Sequence, residues 1–163
     1  MSQALESDPT ASLYDRDFYL WILDTAERLK KRDFDHLDLN HLIDEVESLG
    51  RSEKREILNR AEILLQHLLK RCYLPQPENY RGWELIVREQ RRQLQRNLRD
   101  SPSLSQVLLE NLPELLQEAA ETVQLEYPDF RIPGQLPVEL TLSALLSESF
   151  WLDPSSSTPS QSP

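Results

Sequence analysis

From Phe18 to Val123 the apolar residues of this chain return at every third or fourth position, and no stretch shows the two-residue alternation of a half-buried strand. That spacing gathers them into stripes along helices of 3.6 residues per turn. Only three glycines, Gly50, Gly82 and Gly134, occur among 163 residues. A β-rich domain spends more glycine than that on hairpins and bulges. The pattern therefore predicts an all-α fold, a helical bundle of about five to six helices with two long central ones.

The stripes and their punctuation set the expected boundaries. A first helix runs from Asp15 to Arg32, with Phe18, Trp21, Ile22, Thr25 and Leu29 on one face, Asp15 as its N-cap and a basic last turn that suits the helix dipole. A second runs from Asp38 to Leu49 with Leu39, Leu42, Ile43, Val46 and Leu49 as its core face, and Gly50 reads as its left-handed stop. Ser52 opens a third that reaches Tyr73. Pro75 and Pro77 precede a fourth, Tyr80 to Asp100, with Trp83, Ile86, Val87, Leu94 and Leu98 inward. Ser101-Pro102 reads as N-cap and first turn of a fifth, which Pro113 is expected to kink or split. A short last helix begins near Pro137 and ends at Phe150-Trp151. Residues 1–12 read as a disordered lead-in, 13–153 as a single helical-bundle domain, and 154–163 as a disordered Ser/Pro tail.

A chain of this length closes a hydrophobic core without staples. One cysteine, Cys72, excludes an internal disulfide, and the first residues lack the basic and apolar regions of a signal peptide, so a reducing cytoplasm is the expected setting. No apolar run approaches the ~20 residues of a membrane span.

The net charge of −10 is unevenly spread. Residues 1–50 carry five basic and twelve acidic side chains, residues 51–100 twelve and seven, and residues 101–163 one and nine, so −7, +5 and −8 follow one another. The overall sign repels nucleic acid and anionic membranes at long range. Half of the basic side chains of this middle block lie on the fourth helix, where Arg88, Arg92, Arg96 and Arg99 line one stripe. Like charges so close repel unless neutralised. Carboxylates of the same protein, on the second helix (Asp44, Glu45, Glu47) and the fifth (Glu110, Glu114, Glu118, Glu121), are the favoured partners over phosphates, since they carry no association cost and no aromatics interleave the arginines for base stacking.

Residues that bear chemistry are few. His41 and Glu45 stand four apart, the spacing of two metal ligands on one helix, and His67 on the third helix completes a set if the helices pack as a hairpin. The Glu-x-x-His motif of di-iron bundles is absent, so an exposed His41 and a His67 hydrogen-bonded at a helix interface are the favoured reading. Gln90 interrupts the core stripe between Val87 and Leu94 and needs a hydrogen-bond partner there. With Arg91, Glu45 and His67 it forms a candidate polar cluster, favoured as a network that fixes helix register over a ligand pocket. Cys72, on an apolar face, reads as inert packing. No Ser-His-Asp set, glycine-rich phosphate loop or Cys-x-x-Cys pattern occurs.

Several segments, in order, carry a resemblance: Tyr14 to Trp21, Glu45 to Glu53 across the second helix's end, His67-Leu68-Leu69-Lys70, Trp83, Ile86 with Arg88 to Arg91, Ser101 to Leu104, and Phe150-Trp151. Together they are similar to the bacterial domain-of-unknown-function family 29, frequent in cyanobacteria, over about Leu13 to Leu152. The resemblance implies a helical bundle and brings no activity or cofactor with it. Cys72 departs from it, standing where relatives tend to carry an aromatic.

Strong charge segregation without a catalytic constellation points to a non-enzymatic protein-interaction or regulatory module, with Tyr14, Tyr19 and Phe150-Trp151 as candidate contacts and no cofactor. Protein partners are expected, nucleic acid and membrane are not, and spare apolar faces leave a homo-oligomer open. Two alternatives stand beside it: a metal- or small-ligand-binding enzyme built on Glu45, His67, Gln90 and Arg91, and nucleic-acid binding through the Arg-rich fourth helix.

Overall fold

The structure, a computed structural model, describes residues 12–147. The expected Ser/Pro tail, the Phe150-Trp151 pair and all of the lead-in except Ser12 lie outside the described residues. The described chain is all-α: α1 Leu13–Arg16, α2 Phe18–Lys31, α3 Leu39–Tyr73, α4 Pro77–Asp100, α5 Leu104–Glu126 and α6 Leu142–Ser147, with no strand among them. It divides into two compact units, one ending at Ser52 and one beginning at Glu53, and α3 contributes residues to both.

In the first unit the expected single helix from Asp15 is two. Asp17 leaves the helical backbone region (φ −154°, ψ 87°) and its carboxylate accepts the Leu20 N–H, so it caps α2. Ser12 caps α1 by accepting the Asp15 N–H. Asp15, the expected cap, lies inside α1. α2 ends at Arg32, the one non-glycine described residue with positive φ, at 58°.

Gly50 corrects the second boundary. It does not stop a helix; α3 runs 35 residues straight through it, and no described glycine has positive φ. Glycine permits a left-handed stop but does not impose one. Its cost inside a helix, about 1 kcal/mol relative to alanine, is small beside the hydrogen bonds of the turns on either side.

The second unit buries the core. α3 supplies Ile57, Ala61, Leu64, Leu65, Leu68 and Leu69, α4 supplies Trp83, Val87 and Leu94, and α5 supplies most of its inner face from Leu104 to Val123. Ile86, expected inward, sits at the exposed edge instead. α4 starts at Pro77, a turn earlier than expected, because proline at the first helical position gives up only an N–H that has no partner there. Ser101 closes α4, donating its N–H to Asn97 O, and so does not cap α5. Ser103 precedes α5 without a side-chain capping bond. Pro113 does not split α5: it and Leu109, whose carbonyl loses its partner, are both exposed, and water can take that carbonyl.

Polar side chains fasten the periphery. Gln124 donates to Phe130 O (2.7 Å) and accepts from Ile132 N (3.0 Å), holding the segment after α5 against its own helix. Tyr73 donates to Gln135 O (2.7 Å). Lys70, 7% exposed, pairs with Glu126 at 2.6 Å, and Arg71 pairs with Glu84 at 2.6 Å while lying 3.9 Å over the Tyr80 ring. α6 begins at Leu142, with Thr141 Oγ1 accepting the Ala144 N–H as its cap, and not near Pro137. No described helix is long and apolar enough to cross a membrane.

Candidate interaction surface

The first unit is built with its apolar side open. The stripe of α2 and that of the first turns of α3 are those the sequence marks as core faces, yet only Trp21 (4% exposed) and Thr25 are buried there. α3 has no buried residue before Ile57. Phe18, Ile22 and Leu29 on α2 and Leu39, Ile43, Val46 (59%) and Leu49 (67%) on α3 are exposed. Between the two helices lies an open groove of about 430 Å³, lined by Phe18, Trp21, Ile22, Thr25, Ala26 and Leu29 from α2 and by Leu42, Glu45, Val46 and Leu49 from α3. Its lining is almost wholly apolar with Glu45 at the edge, and a contiguous exposed apolar patch rimmed by polar residues is the kind of surface that partners use.

An aromatic and charged corner holds one end of this groove. Tyr14 meets Phe18 and Trp21 edge-on, at 5.5 and 5.0 Å between centroids, and stacks on His41 at 4.0 Å. Its hydroxyl donates to Glu45, which pushes the Tyr14 pKa up. Asp38 accepts from His41 Nδ1 at 2.7 Å and from Trp21 Nε1 at 3.2 Å. The hydrogen bond to Asp38 raises His41 above its ordinary 6.5, and the same bond holds the Asp38 carboxyl below its ordinary value. The corner ties α1 and α2 to the start of α3 and fixes the groove's width. The sequence marks Asp38 as the start of the second helix and favours an exposed His41, and it links neither to Tyr14 or Trp21. The signal that finds the corner is Tyr14, Phe18 and Trp21 at helical spacing together with Asp38-x-x-His41.

Glu45, His67 and Arg91 of the expected polar cluster make their hydrogen bonds to different partners. Glu45, in the first unit, accepts from Tyr14. His67 Nδ1 donates to Ile63 O of its own helix at 2.8 Å, and burial depresses its pKa. Arg91 donates through Nε to Leu145 O (2.8 Å) and through Nη2 to Ala144 O (3.2 Å), so it caps the carbonyl end of α6, with Gln95 donating to Leu146 O beside it. Gln90 Oε1 is buried without a hydrogen-bond partner among the described residues. Among the described residues no three of His, Cys, Asp and Glu are grouped to hold a metal ion. The Cys72 thiol is pushed up to about 11 by burial.

The arginines of α4 do not pair with α5. Arg92 forks onto Glu89 one turn back on its own helix (3.1 and 2.9 Å), and Arg99 lies 3.6 Å from Asp100. Arg88 and Arg96 have no carboxylate within reach among the described residues. Among the described residues Glu110 accepts from Gln106 and Glu121 from Gln117. The expected internal neutralisation across these two helices is therefore absent; core packing turns both charged stripes to solvent.

The family model described as Domain of unknown function DUF29 matches residues 13–151. Neither the curated proteins nor the solved structures gave a match.

Proposed function

The chain belongs to the DUF29 family, and since that membership brings no reaction with it, we propose a function from the chain's own surfaces: a protein-interaction module whose N-terminal unit docks an amphipathic helix of a partner protein. The observation that carries this is the open groove between α2 and α3. Two helices side by side leave room for a third along their seam, and a helix laid in such a groove reads it through residues three and four apart. The rim selects the partner's charge. Residues 12–52 hold ten acidic and six basic side chains, so a helix with an apolar face and lysine or arginine flanks fits, and an acidic one is repelled.

Trp21, on the groove wall, reports occupancy. Titration of the full chain with an 18-residue Leu/Lys amphipathic helix is expected to give a saturable change in tryptophan emission. The Leu/Glu counterpart gives none, and Val46→Glu with Leu49→Glu abolishes the change. Equal response to both peptides, or a response that survives the double substitution, removes the groove from the account.

A further inference from the structure

We propose that the second unit carries a separate, self-complementary interface: the arginine stripe of α4 in one molecule pairs with the glutamate stripe of α5 in a second copy of this chain. The proposal is independent of the N-terminal groove. Arg88, Arg92, Arg96 and Arg99 are spaced four, four and three apart, and Glu110, Glu114, Glu118 and Glu121 repeat that spacing. At 3.6 residues per turn each set stays on one side of its helix over ~16 Å. All eight side chains are exposed. Among the described residues the two stripes make no ion pair with each other, and the ionic partners found there, Glu89 for Arg92 and Asp100 for Arg99, lie on α4 itself.

The apolar ends fix the direction. Leu85, 56% exposed, precedes the arginines by three residues, and Leu125, 83% exposed, follows the glutamates by four. In an antiparallel alignment Arg88 faces Glu121, Arg92 faces Glu118, Arg96 faces Glu114 and Arg99 faces Glu110, and the two leucines meet at one end. A parallel alignment sets Leu85 against the half-buried Val107 and leaves Leu125, the more exposed of the two leucines, opposite Ser103. A nucleic acid offers the arginines phosphates but nothing to the leucines or the glutamates, and the net charge of −10 opposes its approach.

Sedimentation of three forms tests this: the wild type, Arg88→Glu/Arg92→Glu/Arg96→Glu, and Glu110→Lys/Glu114→Lys/Glu118→Lys. The wild type is expected to associate at about 0.02 M salt and to dissociate by about 0.5 M, as screening shortens the reach of the pairs. Each variant alone is monomeric, with helical circular dichroism unchanged. An equimolar mixture regains the association, because each acidic α4 then meets a basic α5 and each native α4 a native α5. Should a charge reversal unfold the chain, Arg88→Gln/Arg96→Gln, which adds no charge, weakens association at least tenfold. A wild type monomeric at low salt, a mixture that stays monomeric, or a monomer that instead binds RNA through the arginines overturns the proposal.

Discussion

Asp38 is the residue on which the N-terminal corner turns, since it takes hydrogen bonds from both His41 and Trp21. The raised His41 pKa gives a stabilisation that is whole below its ordinary 6.5 and is lost as pH rises through the raised value. The lowered Asp38 pKa gives one that is whole above its ordinary 3.8 and fades as pH falls through the lowered value. The clasp is therefore tightest between about pH 4 and 6.5. In Asp38→Asn the titration midpoint of the His41 ring is expected to fall, as read by proton NMR; an unchanged midpoint would show that Asp38 does not hold it. Cys72, its thiol pushed up to about 11, stays protonated at pH 8. It should resist alkylation in the folded chain and react once urea exposes it. Labelling in native buffer as fast as in urea contradicts that.

At the scale of elements, most of the helices are legible in the residues, because three-and-four spacing of apolar side chains survives almost any packing. Their ends were less so. Gly50 and Ser101-Pro102 carry the local chemistry of a stop and a start, yet neighbouring turns override the first, and α4 claims Ser101 for its own last carbonyls. Gly50 is thus a defect inside a helix. Nothing lies within 4 Å of a Cβ built on it, so Gly50→Ala should raise stability by about 0.5–1 kcal/mol in urea unfolding. A loss would mean that α3 needs to bend there. Arg91 illustrates the opposite limit. The sequence marks it only as polar beside a core stripe, while its task depends on α6, more than fifty residues away. Arg91→Ala removes two charge-assisted hydrogen bonds and should cost about 1–3 kcal/mol, with amide exchange rising first in α6.

For the whole molecule, an amphipathic stripe says which face of a helix avoids water and is silent about what covers it. The stripes of α3 beyond Ile57 and of α5 find cover within their own unit, whereas those of α2 and of α3 before Ser52 do not. Charge blocks are ambiguous in the same way. Opposite signs in Arg88–Arg99 and Glu110–Glu121 suggest mutual neutralisation until packing turns both outward. Both misreadings leave a surface prepared for something other than this chain's own interior. That is the basis for reading it as an interaction module.

One measurement separates a docking face from a core most directly: the unfolding free energy of Val46→Glu/Leu49→Glu against that of the wild type, on full-length protein in urea. Charges placed in a packed core cost several kcal/mol. An exposed docking face loses nothing, so the account predicts stability within about 0.5 kcal/mol of the wild type, with peptide binding gone. A loss of about 3 kcal/mol or more would show that these side chains are buried in the working protein and would contradict the account.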